Sequence, residues 1–133
     1  MSLYIVTKRY QTCYPDPLIL EKGESVQYGE EDTDYPKWIF CEADKSHKKG
    51  WVPKQFLTVP NEKGEAYLLE SYTAHELTVA VGQRLIVNKE LNGWLFARTE
   101  KGEEGWSPAD HAVKAAIGKI ETAINDRQEL IQK

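Results

Sequence analysis

The sequence predicts an all-β protein that consists of two small tandem barrels followed by a C-terminal helix. Residues 50–56 (GWVPKQF) and residues 105–111 (GWSPADH) both contain the pattern Gly-Trp-x-Pro. Before each copy, apolar and polar residues alternate, which is the period-two signature of strands with one buried face. Short strands separated by regular turn signals are typical of small barrels and sandwiches.

Both halves of the chain contain the same elements in the same order. The stretches LILEKG (residues 18–23) and LTVAVG (residues 77–82) each predict a strand that ends at a turn glycine. A second strand, a third strand led by Trp38 or Trp94, and the Gly-Trp-x-Pro pattern then follow. The predicted units are residues 3–59 and 67–113, joined by the linker 60–66 (PNEKGEA).

The apolar period changes from about residue 112 onward. Apolar residues there recur mostly at spacings of three and four, which predicts an amphipathic helix over residues 114–133. Such a helix could cover barrel surface within the same chain, or it could contact a second copy or another protein. The pattern therefore leaves homo-oligomerisation through the helix open.

Composition and charge exclude several classes of function. The 133 residues carry a net charge of −4, whereas nonspecific nucleic-acid binding needs a basic surface. The sequence has no apolar run long enough to span a bilayer and no secretory signal pattern, so we expect a cytoplasmic protein without membrane contact. Two cysteines, Cys13 and Cys41, are too few to form a disulfide framework.

The repeated segments resemble Src homology 3 (SH3) domains. In the second half, ELTVAVGQ, NGWLFA and GWSPADHAV are similar to the family's ELSF segment, its Trp pair and its closing Gly-x-x-Pro-x-x-Tyr segment. In the first half, LILEKGE, KWIFC and GWVPKQFL occupy the same places. The resemblance implies two five-stranded barrels that use no cofactor. It also implies grooves in which aromatic rings and one proline bind extended, proline-rich segments of partner proteins.

The resemblance also implies which residues bind the partner. In the first repeat they are Tyr10, Trp38, Pro53 and Phe56, and in the second they are Tyr72, Trp94, Pro108 and His111. Trp38 and Trp94 would expose their indole faces at the groove. The loop between Tyr72 and Leu77 is shorter than the family's.

Acidic residues near the predicted grooves imply a partner with a basic segment. Asp16 in the first repeat and Glu76 in the second match the family's acidic loop. The run Glu30, Glu31, Asp32 and Asp34 could supply this charge instead. By contrast, Trp51 and Trp106 are expected to pack in the core or at its rim, and Cys41 to be a buried thiol.

The sequence leaves three functions open. The first is a non-catalytic adaptor whose barrels bind protein or peptide segments. The second is a structural protein whose grooves are filled within the chain or by another copy. The third is a module that binds cell-wall peptide, because NGWLFART also resembles bacterial SH3-like repeats. Catalysis is not indicated, since His47, His75 and His111 lack metal-site spacing and no nucleophile or phosphate motif occurs.

Overall fold

A computed structural model describes residues 2–13 and 16–115, which form eleven strands and two short 3-10 turns. The strands are β1 Ser2–Val6, β2 Ile19–Leu20, β3 Ser25–Glu31, β4 Trp38–Ala43, β5 Lys49–Pro53, β6 Glu65–Tyr67, β7 Tyr72–Thr73, β8 Arg84–Leu91, β9 Trp94–Thr99, β10 Glu104–Pro108 and β11 Ala112–Ala115. The 3-10 turns are Lys54–Phe56 and Ala109–His111. The regular structure of these residues is all β, which supports the predicted SH3-like β-barrel fold.

The prediction of a C-terminal helix is wrong where the structure describes the chain. The described residues contain no α-helix, and Ala112–Ala115 forms strand β11 instead. This strand pairs antiparallel with β1, with Leu3 opposite Ala115. Pairing satisfies backbone groups that β1 would otherwise leave open at the sheet edge. The remainder of the predicted helix, residues 116–133, lies outside the described residues.

The strands enclose two separate hydrophobic cores. We call residues 16–74 the first barrel, in which the sheet order is β5-β4-β3-β6 and β2 pairs with β7. We call residues 2–13 and 75–115 the second barrel, with the order β10-β9-β8-β1-β11. The first core contains Leu18, Leu20, Val26, Ile39, Val52 and Leu68, among others. The second contains Tyr4, Val6, Leu77, Val79, Leu85, Val87 and Leu95.

The two repeats exchange their first strands. Strand β1, at the start of the chain, lies between β8 and β11, with Tyr4 opposite Leu85. Strand β6 takes the corresponding place beside β3, with Ala66 opposite Val26. Each repeat therefore supplies the strand that completes the barrel of the other.

The backbone hydrogen bonds at these two places are equivalent. The amide of Gly82 donates to the carbonyl of Val6 at 2.8 Å, and the amide of Gly23 donates to the carbonyl of Leu68 at 2.8 Å. Gly23 and Gly82 are the turn glycines that the sequence aligns in the two repeats. In each barrel, the first strand of the other repeat therefore makes the same backbone hydrogen bond to the turn glycine.

Strand pairing crosses the boundaries that the sequence predicts. Strand β1 comes from the predicted unit 3–59 but lies in the second barrel, and β6 overlaps the predicted linker 60–66 and lies in the first. The division into 3–59, 60–66, 67–113 and 114–133 stays a prediction about sequence units. In space, the chain passes between barrels twice, after Tyr10 and again after β7.

Gly105 and Gly93 allow the chain to pass between the barrels and the barrels to contact each other. A Cβ atom on Gly105 would lie 2.7 Å from the carbonyl oxygen of His75, so only glycine lets the second passage run this close to β10. The turn Asn92-Gly93 joins β8 to β9 with positive φ at both residues, 51° and 83°. This is the two-residue hairpin geometry that Asn-Gly favours, and the turn faces the first barrel.

We expect Val6→Ala to weaken the second barrel, although Val6 belongs to the first repeat. The side chain is 1% exposed within the second core. Its truncation should lower the free energy of unfolding by about 2 kcal/mol, from lost burial and a residual cavity. Hydrogen exchange should show the largest loss of amide protection in β8 and β9.

Val26→Ala is the matched control, since Val26 is 0% exposed in the first core. It should instead loosen β3 and β4. Loss of protection in β3 and β4 on Val6→Ala, with β8 and β9 unaffected, would contradict the exchange.

Candidate functional site

A cluster of aromatic rings joins the two barrels. The ring of Trp106, from the second barrel, lies 5.3 Å from that of Trp38 and 6.1 Å from that of Tyr72. The Trp106 indole N–H donates to the carbonyl of Thr73 at 2.8 Å. Trp106 is 4% exposed and packs against the core of the first barrel. The expectation that Trp106 packs in the core is therefore confirmed.

The groove around Trp38 is filled from within the chain. Trp38 is 4% exposed, and its indole N–H donates to the carbonyl of Asn92 at 2.9 Å. The side chains of Asn92 and Gln55 exchange a further pair of hydrogen bonds, each of 2.8 Å. The expectation of a bare indole face at Trp38 is wrong, because the β8–β9 turn and Trp106 of the second barrel cover it.

The other predicted groove residues of the first barrel are also covered. Pro53 is fully buried, and Phe56 packs edge-on against Tyr72 with ring centroids 5.6 Å apart. The ammonium of Lys89, from the second barrel, lies 4.9 Å from the Phe56 centroid and 3.7 Å from a carboxylate oxygen of Glu70. The Phe56 ring therefore already has a cationic partner from the second barrel.

A second set of rings remains partly exposed. Tyr10 meets Trp94 and His111 edge to face, with ring centroids 5.6 Å apart in both pairs. All three side chains are half-buried, while Pro108 is fully buried opposite Trp94 in the β9–β10 pairing. We call the three rings the composite groove, because Tyr10 comes from the first repeat and the other two from the second.

Strand exchange explains why the grooves do not follow the repeats. The sequence placed Tyr10 with Trp38 and Phe56, and Tyr72 with Trp94 and His111. The structure packs Tyr10 against the rings of the second repeat and Tyr72 against Phe56. The ligand-binding role of these residues stays a prediction. In the structure, each tyrosine lies beside predicted groove rings of the other repeat.

A cavity of about 210 Å³ opens between the barrels beside the composite groove. Its ring-bearing wall is formed by Tyr10, Tyr35, Trp38, Trp51, Tyr72, Trp94 and Trp106. Sequence reasoning assigned no role to Tyr35, although it follows the acidic run directly. That run places Asp32 in the wall together with Asp16 and Glu76, so both acidic segments that the sequence suggested contribute.

Glu76 anchors the N-terminal segment to the second barrel. Its Oε1 accepts hydrogen bonds from the hydroxyls of Tyr10 at 2.7 Å and Thr12 at 3.2 Å. Burial raises the pKa of the Glu76 carboxyl, and these two hydrogen bonds partly oppose that effect. Asp16 is exposed instead and forms an ion pair of 2.8 Å with Lys48.

Two features of the described residues concern possible reactive sites, namely the buried cysteine and the distribution of metal-binding side chains. Cys41 is 1% exposed, and burial raises the pKa of its thiol to about 12, which confirms the expectation of a buried, unreactive cysteine. Residues 2–13 and 16–115 contain no group of three His, Cys, Asp or Glu side chains that could hold a metal ion. No helix in this part of the chain is long and apolar enough to cross a membrane.

One comparison with known proteins bears on this geometry. Residues 3–59 match the family model described as a variant SH3 domain. No solved structure matches the chain. The matched range begins with β1, so it includes a strand that completes the second barrel rather than the first.

We expect Trp106→Ala to separate the two barrels. Truncation of a buried tryptophan costs about 3–5 kcal/mol of unfolding free energy, and it also uncovers Trp38. Chemical denaturation should show the loss, and iodide quenching should show that the remaining indoles are more accessible.

Tyr67→Ala provides the control, since this ring is 44% exposed on β6. It should change the free energy of unfolding little. The interpretation of the junction fails if Trp106→Ala has an equally small effect on stability and quenching.

Glu76 should make folding stability depend on pH. Because the folded-state pKa is raised, the folded protein binds more protons than the unfolded chain just above pH 4.5. Its contribution to stability is therefore full below the unfolded pKa and falls as pH rises through the folded value. Glu76→Gln keeps the acceptor and removes this charge, so its stability relative to wild type should increase as the pH rises above 4.5. A stability difference that stays constant over this range would contradict the assignment.

Proposed function

Since residues 3–59 match the variant SH3 family, we propose that the protein is a non-catalytic module that binds an extended segment of a partner protein. The ligand site in this proposal is the composite groove of Tyr10, Trp94 and His111. The observation that carries it is the convergence of these three half-buried rings, while the groove around Trp38 is filled from within the chain. Among the described residues, these three rings form the groove that we assign to a partner.

The chemistry of the composite groove suits an extended segment. Flat ring faces accept apolar and pyrrolidine side chains, and a segment already in the polyproline II conformation loses little entropy on docking. Pro108 is fully buried beside Trp94, so it supports the groove from below and does not itself form an exposed wall. The specificity of the groove for its partner therefore depends on the three rings and on the charged side chains around them.

The charge around the groove favours a partner with a basic segment. Glu76 is hydrogen-bonded directly to the Tyr10 hydroxyl, and Asp32 lines the adjoining cavity. Carboxylates near a binding surface increase the association rate of a positively charged partner, and salt weakens this effect. Basic or proline-rich segments are therefore the class of partner that we propose.

A structural function for the other groove has its own support. Trp38 and Phe56 are covered by Trp106 and Lys89, both from the second barrel. This is the arrangement that an assembly role predicts, in which groove residues hold neighbouring parts of the molecule together. We propose that the duplicated grooves have divided these tasks, one for assembly and one for a ligand.

Selection from a random-peptide display library would test the ligand-binding proposal. Peptides selected on the wild-type protein should bind with micromolar affinity, about −8 kcal/mol, when measured by isothermal titration calorimetry. Trp94→Ala should weaken binding by about 2 kcal/mol or more, because it removes the largest of the three rings of the groove.

Two controls separate a lost groove from a lost fold. Tyr67→Ala alters a partly exposed ring outside the groove and should leave the affinity unchanged. Trp94→Phe keeps a smaller ring and should bind with intermediate affinity. Selected peptides that bind Trp94→Ala as tightly as wild type would refute the composite groove as the ligand site.

A further inference from the structure

The cavity beside the composite groove has several aromatic walls. The planes of Tyr10 and Tyr35 are inclined to that of Trp94 by 85° and 60°, and the plane of Trp38 by 71°. Rings inclined so steeply are not stacked on one another, so they line the space from different directions. Trp51 adds another ring to the wall. Such an arrangement is suited to a cation, which is attracted to the faces of Trp and Tyr.

The carboxylates of the cavity are not neutralised equally. Asp16 is paired with Lys48, whereas none of the described residues forms an ion pair with Asp32 or Glu76. The one lysine of the described wall, Lys49, lies 3.8 Å from a carboxylate oxygen of Glu42. Negative charge on Asp32 and Glu76 is therefore available to a bound cation.

Some of the hydrogen-bond acceptors in the cavity are already used. Oε1 of Glu76 already accepts two hydroxyl hydrogen bonds, and Oδ1 of Asp32 accepts the amide of Asp34 at 3.0 Å. A lysine ammonium is strongly hydrated and has three N–H donors, and a guanidinium has five. Either group would need an acceptor for each of these donors on entering this space, and every donor left without one is costly.

A quaternary ammonium group avoids this cost. It carries a full positive charge but has no N–H donor, and its methyl groups present apolar surface to the rings. The cavity volume of about 210 Å³ is several times the roughly 30 Å³ that one water molecule occupies in the liquid. The cavity therefore has room for such a headgroup.

We propose that this cavity binds a quaternary ammonium group, carried by a trimethylated lysine side chain of the partner segment. The inference rests on the proposed function for the source of the group, because a segment in the composite groove would pass the cavity mouth. Tyr10 and Trp94 belong to both places, and Glu76 of the cavity wall is hydrogen-bonded to Tyr10, so one extended segment could contact the groove and insert the side chain.

The charge requirement can be tested with a pair of probes that have the same shape. Choline and its neutral isostere 3,3-dimethylbutan-1-ol differ in the charge of the headgroup. Titration of the full chain, followed by tryptophan fluorescence and by NMR shifts of the indole N–H groups, should show binding of choline at least about tenfold tighter. Equal affinities would mean that the cavity is merely apolar and would overturn the proposal.

The source of the group is tested with N-acetyl-trimethyllysine amide, N-acetyl-lysine amide and choline. The trimethylated compound should bind about tenfold tighter than the lysine compound and tighter than choline. Equal binding of the two lysine compounds would overturn the proposal. Tighter binding of choline would overturn the assignment to a side chain in favour of a free alkylammonium compound.

Variants locate the binding within the cavity. Tyr35→Leu and Glu76→Gln should each weaken binding of the trimethylated compound severalfold, because they remove a ring wall and a negative charge. Tyr67→Leu and Glu100→Gln are matched changes outside the cavity and should have no effect. Unchanged affinity in both cavity variants would refute the site.

The outcomes separate this inference from the proposed function. If display-selected peptides depend on Trp94 while the trimethylated compound shows no preference, the inference falls and the proposed function stands. If the trimethylated compound binds through Tyr35 while no peptide binds through Trp94, the proposed function falls and the cavity binds the headgroup alone.

Discussion

The position of strand β1 between β8 and β11 is the constraint on which the rest of the structure depends. Without β1, the second barrel would lack the strand that carries Tyr4 and Val6 into its core. The same strand carries the chain onward to Tyr10, which pairs with Val79 and so brings its ring to the second barrel. The composite groove is therefore a direct consequence of the exchange.

The exchange also explains why two copies of one motif have different environments. Both prolines of the Gly-Trp-x-Pro pattern are buried opposite a tryptophan of the neighbouring strand, Pro53 opposite Trp38 and Pro108 opposite Trp94. The tryptophans of the pattern differ, because Trp106 fills the junction between barrels while Trp51 stays half-buried at the cavity. Recurrence of the motif thus accompanies a shared strand geometry in which each proline lies opposite a tryptophan.

Burial and charge act together where the barrels meet. Hydrogen bonds from Tyr10 and Thr12 fix Glu76 at the point where the N-terminal segment leaves the second barrel. The same carboxylate contributes negative charge to the cavity, at some cost in desolvation. A group that both holds the fold and faces a potential ligand is typical of sites in which a rigid scaffold positions the binding residues.

The sequence by itself determined the strand before the turn glycine Gly23, the strands led by Trp38 and Trp94, and most of the ring-bearing positions, because these depend on local alternation and on turn glycines. It did not reveal the partners of β1 and β6. The sheet edges that accept a first strand are alike in the two repeats, so a first strand from either repeat satisfies the same local hydrogen bonds. In the sequence, the short loop after Tyr72 was the local sign that the chain takes a different path there. Only the tertiary structure decided which barrel each first strand completes, and hence that Trp38 is buried while Trp94 remains partly exposed. The helix prediction is wrong for its first residues for a related reason. The open edge of β1 provides hydrogen-bond partners for the backbone of residues 112–115, which therefore form a strand.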